Sequence, residues 1–512
     1  MDRVVLYLNY LLYIESYTRQ KQPKLTIMSS NTSAASGAAD FSKLNPEQIF
    51  SITVLRGLAL FGILFISIWE FGGFTSNEQT FYRTGPHGGN YILLTIVSIL
   101  FEGKMNALFA LVFGAGIFLF VKKKEHPVTM STADAYIRSL LWLIGFGLVN
   151  AFILLWPRDI LFQYGVVGIL LFAFSGIKSK GLFMAAMLCT FIYCGKQYWN
   201  YADDKSDHKN YMTVTALEKK FKQDSIARSQ KDSLYRNSDT VLLKETIVQN
   251  KRTDSLAKKK DTLTKKQSQE KEKWEGLVKE MKFDSSKTKS TNKAMRDSYG
   301  NMWKQVMQKS QSNESFWLYK IGIWEIGSMM LLGMALMSIG FFSSRFSSSK
   351  YMVIALLTIL VGFALAWFRI KFNDARLSGY ELYIEKKAIP FNLFYPIENI
   401  LLAIGYASLV LGLLRLKLLN WLWRAFSATG QMALTNYILQ SVICTFFFYG
   451  YGFGYFGRLN QVELYFLVLE IILAQVVFSV LWLRYYKRGP LEWLWQCLTY
   501  RQWLAIKKQA IK

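Results

Sequence analysis

Residues 52–71 read ITVLRGLALFGILFISIWEF, twenty residues in which only Arg56 and Glu70 are charged. A helix rises about 1.5 Å per residue and the hydrocarbon core of a membrane is about 30 Å thick, so about 20 apolar residues cross it. This stretch therefore predicts a membrane-spanning helix. Because a buried arginine is costly in a membrane, Arg56 is expected either to face a cavity or a partner, or to anchor the helix at the membrane surface.

Nine further apolar stretches of similar length follow along the chain. They lie at 104–121, 136–155, 159–176, 181–199, 317–341, 351–369, 393–414, 430–450 and 461–483. The apolar stretch 91–101 is too short to cross and is expected to lie at the interface or to re-enter the membrane. The sequence thus predicts an all-α fold, a polytopic membrane helix bundle of about ten spans.

The overall composition agrees with this prediction. The chain has 512 residues, 52% of them hydrophobic, and a net charge of +26, with a mean hydropathy of +0.17. A chain that is both apolar and basic is explained when the apolar residues form spans and the basic residues lie in loops. Four cysteines and three histidines exclude a disulfide scaffold and argue against a multi-histidine metal site. No metal, bound cofactor or nucleic-acid partner is predicted, and membrane lipids are the expected surroundings.

The distribution of lysine and arginine predicts the orientation, because short loops rich in these residues stay cytoplasmic. With the N-terminus inside, the inward segments carry most of the basic residues, among them Lys122, Lys123, Lys124, Arg138, Lys178, Lys180, Arg345, Lys350, Arg415, Lys417, Arg424, Arg484, Lys487 and Arg488. The outward segment 369–392, with five basic residues, breaks the pattern. The balance predicts a cell (inner) membrane protein with both termini in the cytoplasm.

Four segments are expected along the chain. Residues 1–50 form a polar N-terminal leader, with Met28 as the predicted true start. Residues 51–200 form an N-terminal membrane bundle of about five spans, 201–312 a charged extracytoplasmic insertion, and 313–512 a C-terminal membrane bundle.

The insertion differs in composition from the rest of the chain. Residues 201–310 hold 26 basic and 16 acidic side chains, no proline and only two glycines. Because disordered segments are usually rich in proline and glycine, their absence favours helix. We expect a charged helical hairpin or a partly disordered arm outside the membrane. The basic run 258–260 is either a solvated helix face or a contact for anionic lipid or glycan.

Polar residues near the spans are candidates for substrate or donor binding. Glu102 and Lys104 flank Gly103 before the second span and either pair with each other at the interface or bind a ligand. Asp159 follows Trp156-Pro157-Arg158 in a tight outward turn, where a carboxylate suits the start of a helix. The alternatives at Asp159 are a structural turn and a binding role.

A polar face is also expected on the ninth span. Asn436 and Gln440 are four residues apart and lie beside Ser441, so their side chains should point into the bundle. Interhelical hydrogen bonding and substrate contact explain them equally well. Of the three histidines, only His87 lies in a short outward loop, where it is a candidate general base or simply exposed.

Several spaced motifs in the C-terminal third resemble the YeiB-like family, called domain of unknown function 418. They are Gly430–Tyr437 (GQMALTNY), Gln440-Ser441, Phe448–Gly452 (FYGYG), Trp482-Leu483-Arg484 and Gly489–Trp495 (GPLEWLW). The N-terminal half agrees with this resemblance through Leu55-Arg56-Gly57 and Phe101–Gly116. The charged insertion looks like an addition to the family plan.

That family is similar, more distantly, to the transmembrane acyltransferase superfamily, which moves acyl groups from a cytoplasmic thioester to glycans at the far membrane face. The resemblance implies that Arg56 holds the anionic part of an acyl-coenzyme A donor. It also implies that His87 is the base toward an acceptor hydroxyl or amine. Many of those enzymes have a histidine eleven residues after the arginine, where this chain has Ser67.

Three functions remain open at this point. The first is an acyltransferase-like protein that modifies a cell-envelope glycan or lipid. The second is a transporter or exporter of a small molecule or lipid-linked substrate without covalent chemistry. The third is a non-catalytic membrane scaffold whose insertion recruits envelope partners. Removal of residues 205–308 is expected to abolish only the scaffold function.

Overall fold

A computed structural model describes residues 46–73, 88–122, 131–236, 263–281, 284–343 and 346–508. These residues all belong to one compact unit, Phe41–Lys512. The predicted start Met28, His87 and the basic run 258–260 lie outside the described residues.

Seven helical stretches of the described chain are long and apolar enough to cross a membrane. They are α1 (Pro46–Phe71), α2 with α3 (Gly89–Phe101 and Lys104–Lys122), α4 (Thr132–Leu148) with a π-helical extension (Val149–Ile153), α9 with α10 (Tyr299–Ser312 and Ile323–Ser338, joined by the π-helical segment Asn313–Gly322), α11 (Ser348–Ser378), α13 (Tyr395–Arg415) and α16 (Gln461–Tyr485).

The remaining helices are shorter or more polar. They are α5 (Leu161–Leu171), α6 (Ser179–Arg236), α7 (Lys265–Met281), α8 (Ser285–Ala294), α12 (Tyr380–Lys386), α14 (Asn420–Gln431), α15 (Ala433–Phe448) and α17 (Pro490–Tyr500).

The predicted all-α membrane bundle is confirmed, although the described residues hold seven long spans rather than ten. Two of the other predicted spans correspond to shorter apolar helices, Leu161–Phe174 and Ala433–Phe448. The tenth, 181–199, is the start of the 58-residue helix α6, whose later turns are highly charged. The chain is therefore a multi-pass membrane protein by the length and composition of its helices.

Glycines bring helices of the bundle into close contact. A Cβ atom on Gly114 of α3 would collide with the backbone carbonyl of Met330 in α10, and one on Gly333 of α10 with the carbonyl of Leu111 in α3. Helices in a membrane gain little from the hydrophobic effect and associate through such close packing of small residues. This contact fixes α10 against α3 at the centre of the main hydrophobic core.

A break between α2 and α3 turns the chain within a 34-residue apolar stretch, Gly89–Lys122. Gly103 adopts a φ of +76°, which glycine reaches without the penalty of a side chain. The short apolar segment that was expected at the interface is thus α2, packed as a half-length helix before α3. The break places Glu102 and Lys104 on either side of the turn.

The insertion contains a helical hairpin, which agrees with the prediction of helix for this segment. The outer part of α6 runs beside α7, linked by ion pairs of Lys271 with Glu218 and of Lys273 with Asp207. Trp274 of α7 is fully buried, with its ring 5.7 Å from that of Tyr380 in α12. We call α6 from residue 201 together with α7 the hairpin.

The predicted segment boundaries at 200 and 312 both fall inside continuous helical stretches. The helix α6 begins at Ser179 and runs past the first boundary. The helix α9 continues through the π-helical segment into α10, and its Met302 and Val306 belong to the main hydrophobic core. The last part of the insertion is therefore packed into the membrane bundle.

Candidate functional site

Four charged side chains form a charge network, in which Lys104, Arg369 and Glu398 are buried and Glu102 is 32% exposed. Lys104 Nζ lies 2.5 Å from Glu398 Oε1, and Arg369 Nε donates to Glu398 Oε2 at 3.0 Å. Arg369 Nη1 lies 3.3 Å from Glu102 Oε2, and the guanidinium lies 5.1 Å from the ring centroid of Tyr395. Two positive and two negative charges balance, which offsets part of the cost of burying them.

The partner of Lys104 is Glu398 of α13 rather than the neighbouring Glu102. The Lys104 side chain is 0% exposed, because the turn at Gly103 directs it into the bundle and not toward the interface. The sequence-based prediction placed Arg369 where the span 351–369 meets the outward segment 369–392. The helix α11 continues to Ser378, so Arg369 lies within it and is neutralised by the two glutamates.

A cavity of about 200 Å³, which we call the inner cavity, is lined mostly by apolar side chains of α3, α4 and α5. Its polar lining includes Arg56, Gln431, Tyr437 and Glu492. Within the described part of the chain, the guanidinium of Arg56 has no carboxylate at ion-pair distance, although the charge of Glu492 attracts it. An unpaired cation in an apolar cavity favours an anionic ligand with an apolar portion.

Glu492 is held at the edge of the inner cavity by the start of α15. The backbone amide of Thr435 donates to Glu492 Oε1 at 3.0 Å, and the Thr435 hydroxyl donates to Oε2 at 2.5 Å. A carboxylate at a helix N-terminus satisfies amides that have no partner within the helix. Burial nevertheless raises the pKa of Glu492 above its ordinary value of 4.5.

A second cavity of about 250 Å³, the outer cavity, has a more polar lining. Asn106, Arg158, Tyr193 and Glu325 contribute side chains to it. The Tyr193 hydroxyl donates to Glu325 Oε2 at 3.2 Å, and Glu325 belongs to the apolar helix α10. A carboxylate placed within a span and facing a cavity is a candidate for chemistry or ion handling.

The two cavities occupy opposite halves of α3. Asn106, Ala107 and Ala110 of this helix line the outer cavity, whereas the inner cavity is lined by Phe109, Phe113, Gly116, Ile117 and Phe120. At about 1.5 Å per residue, the ten residues between Asn106 and Gly116 correspond to about 15 Å along the helix axis. The cavities therefore lie at different levels along α3.

Tyr164 lines both cavities and separates them. Its hydroxyl donates to the backbone carbonyl of Asn106 at 3.0 Å. Its ring lies 5.8 Å from that of Phe109 and 5.3 Å from that of Phe113, measured between centroids. We call these three rings the aromatic wall. A ligand in each cavity would contact opposite sides of this wall.

Asp159 supports the turn between α4 and α5 and lines neither cavity. Its Oδ2 accepts from the backbone amide of Phe162 at 2.8 Å, and its Oδ1 accepts from Asn150 Nδ2 at 2.8 Å. The neighbouring amide of Ile160 donates to the Tyr437 hydroxyl at 3.1 Å. These hydrogen bonds are those of a carboxylate that caps the start of a helix. They favour a structural role for Asp159 over a binding role.

The polar face of α15 bonds to α16. Asn436 Nδ2 donates to Ser479 Oγ at 2.9 Å, and Gln440 Nε2 donates to Gln475 Oε1 at 3.0 Å. Ser441 is buried on the same helix, and none of the three α15 residues lines either cavity. These contacts are interhelical hydrogen bonds, while Tyr437 is the residue of this face that reaches the inner cavity.

The structure therefore unites only some of the residues proposed from the sequence. Arg56 lines the inner cavity, Glu102 and Lys104 join the charge network, and His87 lies outside the described residues. Glu325 and Tyr164 were not predicted from the sequence. The signal for Glu325 was a single carboxylate within the apolar stretch 317–341, whereas nothing in the sequence distinguishes Tyr164 from other span tyrosines.

The profile of the family described as "Protein of unknown function (DUF418)" matches residues 336–502. We call residues 336–502 the DUF418 segment. The DUF418 segment contains Arg369 and Glu398 of the charge network and Gln431, Tyr437 and Glu492 of the inner cavity. The resemblance predicted from the C-terminal motifs is confirmed.

Three relatives, all described as uncharacterised proteins, are similar to this chain. YxaH of Bacillus subtilis (strain 168) is 24% identical over 471 residues, which cover 91% of this chain and 98% of YxaH. YeiB of Escherichia coli (strain K12) is 48% identical over 103 residues, 19% of this chain and 25% of YeiB. A 39.9 kDa protein in the amylase 3' region of Bacillus acidopullulyticus is 38% identical over 112 residues, 22% of this chain and 32% of that protein. No solved structure matches the chain significantly.

Proposed function

We propose that this protein is a membrane acyltransferase that passes an acyl group from a donor in the inner cavity to an acceptor in the outer cavity. The observation that carries the proposal is that Tyr164 lines both cavities. Two substrates that enter from opposite ends of the bundle would meet at Tyr164, and rotation of its side chain would bring the acceptor to the acyl group. A cell-envelope glycan or lipid is the proposed acceptor, and an acyl-coenzyme A is the proposed donor.

Arg56 is the proposed binding residue for the donor. Its guanidinium forms no ion pair within the described chain and faces a cavity whose other walls are mainly aromatic and aliphatic side chains. A thioester donor combines anionic phosphates with an uncharged acyl-bearing arm, which suits one cation in the lining of an apolar cavity. Arg56 lies near the predicted cytoplasmic end of α1, and acyl-coenzyme A is present on the cytoplasmic side of the membrane.

Glu325 is the proposed base on the outer side, together with the loop residue His87 that the resemblance implies. The acceptor hydroxyl or amine attacks the thioester carbonyl, a C–O or C–N bond forms, and the C–S bond breaks. The acceptor proton passes to the carboxylate and then to the departing thiolate, so no further reactant is needed. The Tyr193 hydroxyl, which donates to Glu325 at 3.2 Å, orients the carboxylate.

A transporter without covalent chemistry is the second candidate. The same two cavities would then be alternate access sites, and rotation of the Tyr164 side chain would connect them. The scaffold function rests on the hairpin alone. Since Met302 and Val306 belong to the main core, the hairpin is best removed as residues 205–281 rather than 205–308.

Turnover of acetyl-coenzyme A by the purified protein in vesicles, with an envelope-glycan extract as acceptor and mass-spectrometric detection, tests the proposal. Arg56→Gln should weaken donor binding by about 10- to 100-fold, because hydrogen bonds to charged groups contribute about 1.5–3 kcal/mol. Glu325→Gln should lower kcat by about 100-fold or more with little change in donor binding. His87→Ala tests the sequence-based prediction separately.

The matched controls are Arg424→Gln and Glu381→Gln, which make the same charge changes at exposed positions. Both should retain wild-type turnover. Transfer that is absent in the wild type, or unchanged in both Arg56→Gln and Glu325→Gln, would contradict an acyltransferase built on these cavities.

A further inference from the structure

A groove of about 600 Å³, which we call the basic groove, lies between α4, α17 and the residues that follow α17. Two arginines and two tryptophans line it, Arg138 and Trp142 from α4 and Arg501 and Trp503 from the C-terminal segment. Neither the inner nor the outer cavity shares these residues. The groove is therefore separate from the site described above.

The C-terminal segment is folded back to form one wall of the groove. Arg501 ends α17 in a left-handed conformation with a φ of +54°, and the amide of Gln502 donates to the carbonyl of Cys497 at 3.2 Å. Further along, the amide of Lys487 donates to the carbonyl of Ile506 at 2.9 Å. These bonds tie the segment to the end of α16 and hold Arg501 beside α4.

The two arginines form no ion pair with the residues that the structure describes. Within the described residues, neither Arg138 nor Arg501 has a carboxylate at ion-pair distance. Lys487, Arg488, Lys507 and Lys508 lie in the same end of the chain and add to the positive potential. We expect the polar part of the groove to bind an anion that accepts hydrogen bonds from both guanidinium groups.

The other part of the groove is apolar and open. Leu141 is 53% exposed and Trp142 42% exposed on α4, a helix that spans the membrane, and Trp503 is 82% exposed. Leu141 and Trp142 lie about one turn further along the span than Arg138, where the hydrocarbon chains of a lipid would run. Exposed leucine and tryptophan next to unpaired arginines match a ligand with an anionic head and hydrocarbon chains.

We propose that the basic groove binds the headgroup of an anionic phospholipid, with its phosphate between Arg138 and Arg501 and its chains along Leu141 and Trp142. A phospholipid, rather than a soluble phosphate, is chosen because the groove opens on the exposed apolar side of α4. The proposal is independent of the acyltransfer reaction.

Native mass spectrometry of the purified full-length protein with added phosphatidylglycerol or phosphatidylcholine tests this site. The wild type should retain phosphatidylglycerol in preference to phosphatidylcholine. The double variant R138Q/R501Q should bind phosphatidylglycerol about tenfold more weakly, because each basic residue near a membrane surface strengthens anionic lipid binding severalfold. R138K/R501K should keep most of the preference, and the exposed-site control K417Q/R424Q should bind as the wild type does.

Equal retention of phosphatidylglycerol by R138Q/R501Q and by K417Q/R424Q would overturn the proposal, as would a wild type that does not distinguish the two lipids. If R138Q/R501Q does not fold, thermal unfolding of the wild type with each added lipid is measured instead. Phosphatidylglycerol should then raise the unfolding temperature more than phosphatidylcholine does, and W503A should reduce that difference. An identical effect of the two lipids on the wild type would contradict the site.

Discussion

The hydroxyl of Tyr164 donates a hydrogen bond to the backbone carbonyl of Asn106, 3.0 Å away, at the point where the inner and outer cavities meet. This bond joins the short helix α5 to the first half of α3. It holds the tyrosine ring in the aromatic wall, between the inner and outer cavities. The separation of two substrates, or of two sides of a transport path, depends on this ring.

Removal of the ring should connect the cavities. We expect Tyr164→Ala to make protein-containing vesicles permeable to protons, while Tyr164→Phe keeps the wall and loses about 1 kcal/mol of unfolding free energy with the hydrogen bond. Dissipation of a pH gradient in vesicles measures the leak. Tyr136→Ala is the control, because Tyr136 lines the inner cavity only. A leak of the same size in Tyr136→Ala would contradict the assignment of the wall to Tyr164.

The charge network should be sensitive to the loss of one member. Glu398→Gln leaves Lys104 buried without its partner, and breaking a buried ion pair costs about 3–5 kcal/mol. The double variant Lys104→Met/Glu398→Leu removes one charge of each sign and should lose less stability than Glu398→Gln. Thermal unfolding in detergent measures the order of the variants, with the exposed Glu381→Gln as control. A double variant less stable than Glu398→Gln would show that the charges do not balance one another.

Anion binding at Arg56 should weaken as the pH rises. Burial raises the pKa of Glu492, so this carboxyl is neutral below its ordinary pKa of 4.5 and becomes charged only as the pH passes the raised value. The ionised Glu492 then competes with an anionic ligand for Arg56. The raised pKa also affects the free energy of unfolding. The contribution of the neutral Glu492 carboxyl to it is fully present below pH 4.5 and is lost as the pH rises through the raised pKa.

Titration of coenzyme A binding against pH checks this expectation. Glu492→Gln should bind the ligand at least as tightly as the wild type at high pH and should show a flatter pH dependence. Thr435→Ser, which keeps the hydroxyl that donates to Glu492, should behave as the wild type does. A wild type and a Glu492→Gln variant with parallel pH profiles would exclude Glu492 from control of Arg56.

The helical bundle was predictable because a membrane leaves the backbone few choices. Stretches such as 52–71 must satisfy their own hydrogen bonds in hydrocarbon, and a helix does so. The helical insertion was predictable for a different reason, the scarcity of proline and glycine between 201 and 310. Hydropathy marks the thickness of the membrane and not the length of a helix, which is why the predicted span ends at Arg369 whereas α11 continues to Ser378.

The candidate site was predictable only in part. Arg56 stands out as a charge within an apolar stretch, and the same argument applies to Glu325 and Glu398, which the sequence reading did not single out. For Asn436 and Gln440 the sequence indicates an inward face but not the partner, and that partner is α16. Tyr164 becomes distinctive only through the packing of α5 against α3.

The hairpin should depend on one buried ring. Trp274 is fully buried against His208 and Tyr380, so Trp274→Ala should destabilise the hairpin by about 3–5 kcal/mol and speed hydrogen exchange in α7. Exchange in α3 and α10 should stay as in the wild type, because the hairpin cluster is separate from the main core. Trp199→Ala, at a 70% exposed position of α6, is the control. Unchanged exchange in α7 would contradict the docking role of Trp274.

The most direct test of the two-cavity account is a sided transfer assay. Sealed vesicles containing the protein would enclose an envelope-glycan acceptor, and labelled acetyl-coenzyme A would be supplied only outside, to molecules whose orientation is known from protease protection. The account predicts that label appears on the enclosed acceptor when the inner cavity faces the donor, and that Arg56→Gln and Glu325→Gln reduce it. Label on an acceptor placed on the donor side, with none on the enclosed one, would contradict the account.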